Sequence, residues 1–452
     1  MSTDVCSHCS NVVVKFGSFR LQLAQQGSTT LNLVFYLLTA AVLIGIPLRA
    51  WALRGRTYAS FSGVILGLSL PGIVVAHYRF IAWAPEKYEI ALQLIFIFLL
   101  AAVGVHLAHL AQPRMRSRLF RWGVSVPGQA CVAAGFILGM WFLGLLPIRL
   151  LLGWLEWDGA LAAMQWLDLI PVVITLTSIW TSSHPGHPEV VRLRVGAQRP
   201  QTVTRIPLER FKPQSAPALD TRPLRIAQIT DPHLGPWQTV SSLRGTIERL
   251  IREEPDLILL TGDFLTMESS GTPGALSEAL APLRDRPGDC FAIFGNHDHE
   301  APGLVREAME DNGVKLLVDD EACVTTPVGK VHLIGADYVG QGRKEHIEGL
   351  LARFPRRDDH LRLFLLHDPL GFQHVPPGAA DLTLSGHTHG GQVGLVSLGL
   401  DWTVLSSSRW PDHGLFGLGP NRLYVHRGTG FYGFPLRVGV PGEISILEWV
   451  FE

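Results

Sequence analysis

The sequence predicts a mixed α/β chain in two parts: an N-terminal helical region of several membrane spans, then a soluble α/β domain. Three observations predict it. Apolar runs of spanning length recur before residue 182, the charged fraction roughly doubles beyond it, and from Leu224 short apolar runs alternate with amphipathic segments. The expected divisions are a tail over 1–30, about five membrane helices over 31–182, a linker over 183–222 and the soluble domain over 223–452.

The apolar runs extend from about Leu31 to Leu48, Phe61 to Trp83, Ile90 to Leu110, Val124 to Leu146 and Leu161 to Trp180. A hydrocarbon core of about 30 Å takes about 20 helical residues, so each run is near spanning length. Eight of the twelve tryptophans lie in this half, among them Trp51, Trp83, Trp122, Trp154, Trp157 and Trp180 near run ends, where interfacial rings belong. Arg49, Arg54 and Arg56 follow the first run, and Arg114, Arg116, Arg118 and Arg121 the third. By the positive-inside rule these loops are cytoplasmic, and five spans put the soluble domain on the same side, with Arg192, Arg194, Arg199 and Arg205 agreeing. The cell membrane is the expected location. No cleavable signal is expected in the tail, and Cys6-Ser7-His8-Cys9 reads as two thiols of that tail, since no second pair follows. Cys131, Cys290 and Cys323 are scattered and imply no disulfide framework. His106 and His109 read as a protein-facing polar stripe, and Asp168 as an ionisable group near the headgroups that by default raises a functional question.

Residues 1–182 carry 12 Lys+Arg and 6 Asp+Glu, which leaves 26 and 33 for the remainder. A net acidic soluble part argues against broad nucleic-acid binding, which needs basic surface. The segment 183–222, rich in Pro, Arg and small polar residues, reads as a linker or a first edge strand. Strands are expected at Leu224–Thr230, Asp256–Leu260, Cys290–Phe294, Val314–Val318, Val331–Ala336, Leu361–Leu366, Leu382–Leu384, Arg422–Arg427 and Glu443–Trp449. Helices are expected at Ser241–Glu254, Ala275–Arg284, Gly303–Asn312 and Lys344–Phe354.

Polar clusters fall at the carboxyl ends of those strands: Asp231-Pro232-His233, Gly262-Asp263, Gly295-Asn296-His297-Asp298, His367-Asp368 and Gly386-His387-Thr388-His389. Ligands of open α/β sheets bind at that edge. Each cluster alone has an ordinary reading, Asp231 as a helix cap, Asn296 in a turn or His367 as a satisfied core histidine; five in this context point to a site. Carboxylate, amide and imidazole donors suit Mn, Fe, Zn or Ni better than Ca or Mg. Two such ions roughly 3.5–4 Å apart activate water and stabilise both oxygens of a phosphoryl displacement. Asp263 is the candidate bridge, being mid-set with no histidine beside it.

This order of motifs resembles the calcineurin-like metallophosphoesterase superfamily, and Gly386-His387-Thr388-His389-Gly390-Gly391-Gln392 resembles its membrane-associated phosphodiesterase branch. The resemblance covers about residues 224–450. It implies a sandwich of two β-sheets flanked by helices, in place of a single layered sheet, and two divalent metal ions. It places Asp231, His233, Asp263 and His389 on one ion and Asp263, Asn296, His367 and His387 on the other. It makes His297 the group that contacts the phosphate and protonates the leaving oxygen, with Asp298 orienting it. Pro232 stands where the family more often has an aliphatic residue, and His299 extends the third motif, neither at a ligand position.

The expected activity is hydrolysis of a phosphodiester or pyrophosphate bond by metal-activated hydroxide, with membrane lipids around the spans and a lipid-linked substrate. The alternatives are a soluble-nucleotide phosphodiesterase and a membrane receptor or sensor with a ligand-binding domain of this type; Asp168, His106 and His109 are the first residues to examine for the latter. The apolar segment 395–420 reads either as a lid for acyl chains or as a long loop packed on the sandwich. Arg409, Arg343 and Lys344 are candidates for a second phosphate.

Overall fold

The structure, a computed structural model, describes residues 29–184, 186–194 and 199–450. Residues 1–28 of the expected tail, with Cys6 and Cys9, lie outside them. Five helical segments are long and apolar enough to cross a membrane: Thr30–Arg54, Arg56–Trp83, Glu86–Leu110, Arg118–Trp154 and Asp158–Ser183. The first three are helices α1 (Thr29–Arg54), α2 (Arg56–Trp83) and α3 (Glu86–Leu110). The fourth starts as α4 (Arg118–Phe120), passes through a π-helical turn at Arg121–Ser125 and continues as α5 (Val126–Trp154). The fifth joins α6 (Asp158–Trp166) to α7 (Ile170–Ser183) through a short 3₁₀ turn.

Small residues let these helices approach. A Cβ on Gly72 of α2 would lie 2.0 Å from the Gly135 carbonyl oxygen and 2.5 Å from the Gly139 nitrogen of α5. Close approach at a Gly-x-x-x-Gly step supplies dispersion contact where lipid offers no hydrophobic drive. Asp168 is not an unpaired ionisable group. It is fully buried and accepts from Arg79 of α2 at 2.6 Å and from Arg149 of α5, so one carboxylate ties three helical segments.

The soluble part is a sandwich of two seven-stranded sheets. The first runs β3 (Glu209–Phe211), β1 (Glu189–Arg194), β14 (Ser445–Val450), β4 (Leu224–Ile229), β5 (Leu257–Leu260), β6 (Cys290–Ala292) and β7 (Lys315–Leu316). The second runs β2 (Thr204–Ile206), β12 (Gly414–Leu418), β13 (Asn421–Val425), β11 (Leu382–Ser385), β10 (His360–Leu365), β9 (Gly329–Gly335) and β8 (Asp320–Thr326). Strands β4 to β7 are mutually parallel, as are β9, β10, β11 and β13. Side-chain alternation explains the continuous apolar runs, because each central strand is buried on both faces. Ile226, Leu257, Leu259, Leu363 and Leu365 enter the core between the sheets. Ala227, Ile229, Ile258 and Leu260 pack under helices α8 (Val240–Arg252), α9 (Ala275–Leu280) and α10 (Pro302–Asp311). Phe364 and Leu366 pack under α11 (Arg343–Arg353).

Two expectations change. The segment 183–222, expected as a linker or a first edge strand, supplies three strands: β3 and β2 are edges of the first and second sheets, but β1 lies inside the first sheet between β3 and β14. Its Val190, Val191 and Leu193 are buried, and its short length between Pro-rich flanks hid the pattern. The apolar segment 395–420 is not one insertion, because Gly414–Leu418 is the core strand β12, with Leu415 and Phe416 buried.

The sandwich sits on one end of the helical bundle. Met267 packs with Ala50, Tyr58 and Ala111, and the Met115 amide donates to Thr272 Oγ1 at 2.8 Å. Phe434 packs against the core of the bundle, while Ser178 Oγ and Thr181 Oγ1 donate to the carbonyls of Pro435 and Arg437 at 2.9 and 2.6 Å. The helix packing yields a test. Gly72→Ala is expected to cost about 1–3 kcal/mol through overpacking, lowering the unfolding midpoint of the detergent-solubilised protein. Gly45→Ala, whose Cβ meets nothing within 4 Å, is expected to leave it unchanged.

Candidate metal centre

The carboxyl ends of the two sheets meet at one point. Strands β4, β5 and β6 lead into Asp231 and His233, Asp263, and Asn296 and His297; β10 and β11 lead into His367 and into His387 and His389. Asp231, His233 and His389 form one group whose ligand atoms all lie within 4.8 Å of one another, and Asp263, His367 and His387 form a second. In the first, His389 Nε2 is 3.1 Å from His233 Nε2 and 3.4 Å from Asp231 Oδ1. In the second, His367 Nε2 is 3.3 Å from both His387 Nδ1 and Asp263 Oδ2. Asp263 Oδ2 also lies 3.8 Å from His233 Nε2, so this carboxylate stands between the groups.

Backbone strain concentrates here. Asp231, His233, Asp263, His387 and His389 have φ of 50°, 47°, 58°, 69° and 51°. Side chains with a Cβ adopt this left-handed region at a cost of about 1–2 kcal/mol each. Hydrogen bonds between the strand-end loops hold it: Asp231 N donates to Gly262 O at 2.9 Å, and His233 N to Asp263 O at 3.2 Å. Gly386 is required, because a Cβ there would lie 2.1 Å from Asp231 Oδ2.

The donor set fits divalent cations. His367 Nδ1 lies 2.7 Å from Thr261 O and His233 Nδ1 3.3 Å from Leu265 O; a carbonyl accepts, so both rings carry a proton on Nδ1 and turn Nε2 inward, and at His233 that nitrogen carries a lone pair. Asn296 Oδ1 is buried without a hydrogen-bond partner, an acceptor that a cation would satisfy. Burial pushes the pKa of His233 down to about 4 and, with His367, that of His387 also to about 4; burial, His233 and Arg437 push His389 well below its ordinary value. These three rings are therefore neutral, the state that binds metal. His367 differs. Burial opposes its charge, but Asp263 beside it raises it to about 10, so a cation must displace a proton there.

His297 lies at the edge of the groups, its amide donating to Asp263 Oδ1 at 2.8 Å. The expected partner Asp298 does not orient its ring. Asp298 is buried and accepts from the amides of Asp263, Gly295 and Phe264 at 2.7, 2.8 and 2.8 Å, clamping the two loops together. Glu300 takes the place beside the ring, with Oε1 3.5 Å from His297 Nδ1. Burial opposes a charge on His297, and Glu300 and Asp263 outweigh it, so its pKa is raised.

Three further residues escaped the sequence reading. Tyr432 stacks on His297 with ring centroids 4.7 Å apart, and its amide donates to Gln392 Oε1 at 2.9 Å, which gives the last residue of the His-Thr-His motif a task. Arg437, fully buried, donates to Arg427 O at 2.8 Å and lies 3.4 Å from His389 Nδ1. Tyr432 and Arg437 follow β13 in a glycine-rich loop with no periodic signal; Glu300 was detectable as the acid three residues after His297 on one turn. Of the second-phosphate candidates, Arg343 is paired with Asp368 at 2.9 Å and Arg409 lies over the Trp410 ring at 5.4 Å. His299 turns away from the groups to Asp337 at 3.0 Å.

Residues 224–391 match the family model described as calcineurin-like phosphoesterase. The chain is 31% identical to Phosphodiesterase YaeI of Escherichia coli over 233 residues, 50% of this chain and 83% of that protein. It is 28% identical to the metallophosphoesterase YkuE of Bacillus subtilis, over 49% of this chain and 77% of that protein. It is 27% identical to a transmembrane protein with metallophosphoesterase domain from Danio rerio, over 55% of this chain and 57% of that protein. A sandwich whose strand ends gather carboxylates, an amide and imidazoles, beside apolar helices, agrees with these likenesses: the chain belongs to the calcineurin-like phosphoesterase family.

Proposed function

We propose that the chain is a membrane-anchored phosphodiesterase with a dinuclear metal centre. Asp231, His233, Asp263 and His389 hold one ion, and Asp263, Asn296, His367 and His387 the other. The observation that carries this is the position of Asp263 Oδ2, within 3.8 Å of His233 Nε2 and 3.3 Å of His367 Nε2, one carboxylate common to both donor groups. Two divalent ions there supply Lewis acidity toward a phosphoryl group and lower the pKa of water. The chain's own residues do the rest. His297, raised in pKa beside Glu300, holds a proton for the departing alkoxide oxygen, and Tyr432 fixes the ring by stacking. Asp298 keeps the Asp263 and Asn296 loops in register through three backbone amides. The phosphodiesterase named among the relatives supports a diester over a monoester.

The position of the centre supports a lipid-linked substrate. The loop that carries Tyr432 and Arg437 is the one whose Phe434 and Pro435 touch the bundle, so the site wall and the membrane anchor are one segment. A soluble nucleotide is the second reading. The sensor reading rests on His106, whose Nδ1 lies 3.8 Å from Glu268 Oε1, five residues beyond Asp263. A cytoplasmic domain is the reading that the arginine-rich loops support, and the packing of Met267 of the sandwich with Ala50 and Ala111, beside those loops, agrees with it.

Asp263→Ala is expected to lower phosphodiester turnover with added Mn by about 100-fold or more, with loss of bound metal by elemental analysis. His297→Gln is expected to lose about 10²–10⁴-fold in turnover while keeping its metal; unimpaired turnover in Asp263→Ala excludes the mechanism. Hydrolysis of a lipid phosphodiester in mixed micelles is expected to exceed that of its free headgroup ester. Replacing 395–404 with a Gly-Ser linker, which spares strand β12, is expected to abolish the difference, and equal rates from the start favour the nucleotide reading. A reporter fused after residue 452 is expected to show cytoplasmic activity; an extracytoplasmic signal reverses the topology.

A further inference from the structure

Directly after the His-Thr-His motif the chain makes a small hairpin that presents apolar side chains outward. Leu395 is 37% exposed, Leu398 74%, Leu400 53%, Trp402 49% and Val404 50%. Five large apolar side chains within ten residues form a patch that water does not favour, unlike a lone surface leucine. The hairpin is built. Leu395 N donates to Trp402 O at 2.9 Å and Val404 N to Val393 O at 3.0 Å; Gly394 N and Ser397 N donate to Val438 O and Gly439 O, both at 2.9 Å. Gly394 is buried in this seam, where a Cβ would come within 2.5 Å of Trp402 O.

The neighbours of the hairpin say what covers it. Val438 and Gly439 continue the loop whose Arg437 carbonyl accepts from Thr181 of α7 at 2.6 Å and whose Phe434 lies 6.2 Å from Phe136 of α5. Trp180, 64% exposed, stands on α7 beside that junction, where a tryptophan marks the boundary between hydrocarbon and water. The apolar face of the hairpin thus continues the lipid-facing surface of the bundle. Its one acid, Asp401, is exposed with its carboxylate 4.0 Å from His413 Nε2, which suits headgroup depth better than the hydrocarbon centre.

We propose that the hairpin 393–404 is an interfacial anchor: Leu395, Leu398, Leu400, Trp402 and Val404 lie in the headgroup and upper acyl layer of the bilayer that holds the helices. Its partner is the lipid surface. The consequence is positional, since the hairpin starts four residues beyond His389 and its Gln392 neighbour holds the Tyr432 backbone, so anchoring it draws the rim of the metal centre onto the bilayer. The proposal stands on exposure and on continuity with the bundle, and needs no catalytic reading.

The test uses the full-length protein in nanodiscs of phosphatidylcholine and phosphatidylglycerol, with Cys6, Cys9 and Cys323 changed to serine and the buried Cys131 and Cys290 kept. Nitroxide labels at Leu398→Cys, Leu400→Cys and, as an aqueous reference, Lys330→Cys are read by power saturation with oxygen and with a water-soluble nickel chelate. The expected result is loss of chelate accessibility with gain of oxygen accessibility at both hairpin sites relative to position 330. Chelate accessibility equal to that at 330 places the hairpin in water and overturns the proposal. Protection from both reagents indicates a protein partner or a second copy and overturns it equally. The readout is independent of turnover, so an inactive protein leaves it intact.

Discussion

The Asp231 carboxylate is where the two sheets are locked. It extends from the end of β4 and accepts the His387 amide, at the end of β11, at 3.0 Å to Oδ1 and 2.9 Å to Oδ2. Position 386 has to be glycine for that approach, and Gln228 Nε2 reinforces it by donating to Ser385 O at 3.0 Å. A charge-assisted hydrogen bond in a dry seam is worth more than one on a surface. Remove it and the donor groups drawn from the two sheets lose their common origin. The left-handed backbone at five of the ligand candidates is the local cost of making both sheets end at one point, a cost the surrounding hydrogen bonds offset.

The same economy governs the charges. Burial alone neutralises imidazoles, and it does so for His233, His387 and His389. Asp263 reverses that outcome at His367 and helps Glu300, which contributes more, to reverse it at His297. Burial thus leaves His233, His387 and His389 neutral, while neighbouring carboxylates favour a proton on His367 and His297. Such divergence between neighbouring groups is the physical signature expected of an acid–base site.

The bundle is more than a tether. Met267 and Glu268 follow Asp263 in the chain and meet Tyr58 and His106, and the loop of Tyr432 and Arg437 meets α5 and α7. Both loops flanking the centre are therefore fastened to the long apolar helices.

The sequence by itself determined the two-part architecture and the identity of the ligand candidates. The reason is that both are local: apolar runs near 20 residues have few soluble uses, and a strand followed by a polar cluster announces a sheet edge that binds. It also marked β4, β5, β10 and β11 correctly, because strands buried on both faces read as unbroken apolar runs. Only the tertiary structure decided which residues serve those candidates. The clamp made by Asp298 depends on amides 34 and 35 residues away, and Tyr432 and Arg437 reach the centre through a loop without period. The strands within 189–211 and the strand at 414–418 were hidden for a related reason. Besides near neighbours, β3 for β1 and β13 for β12, each pairs with a strand far along the chain, β14 for β1 and β2 for β12, and short segments gain strand character from their partners more than from their own pattern.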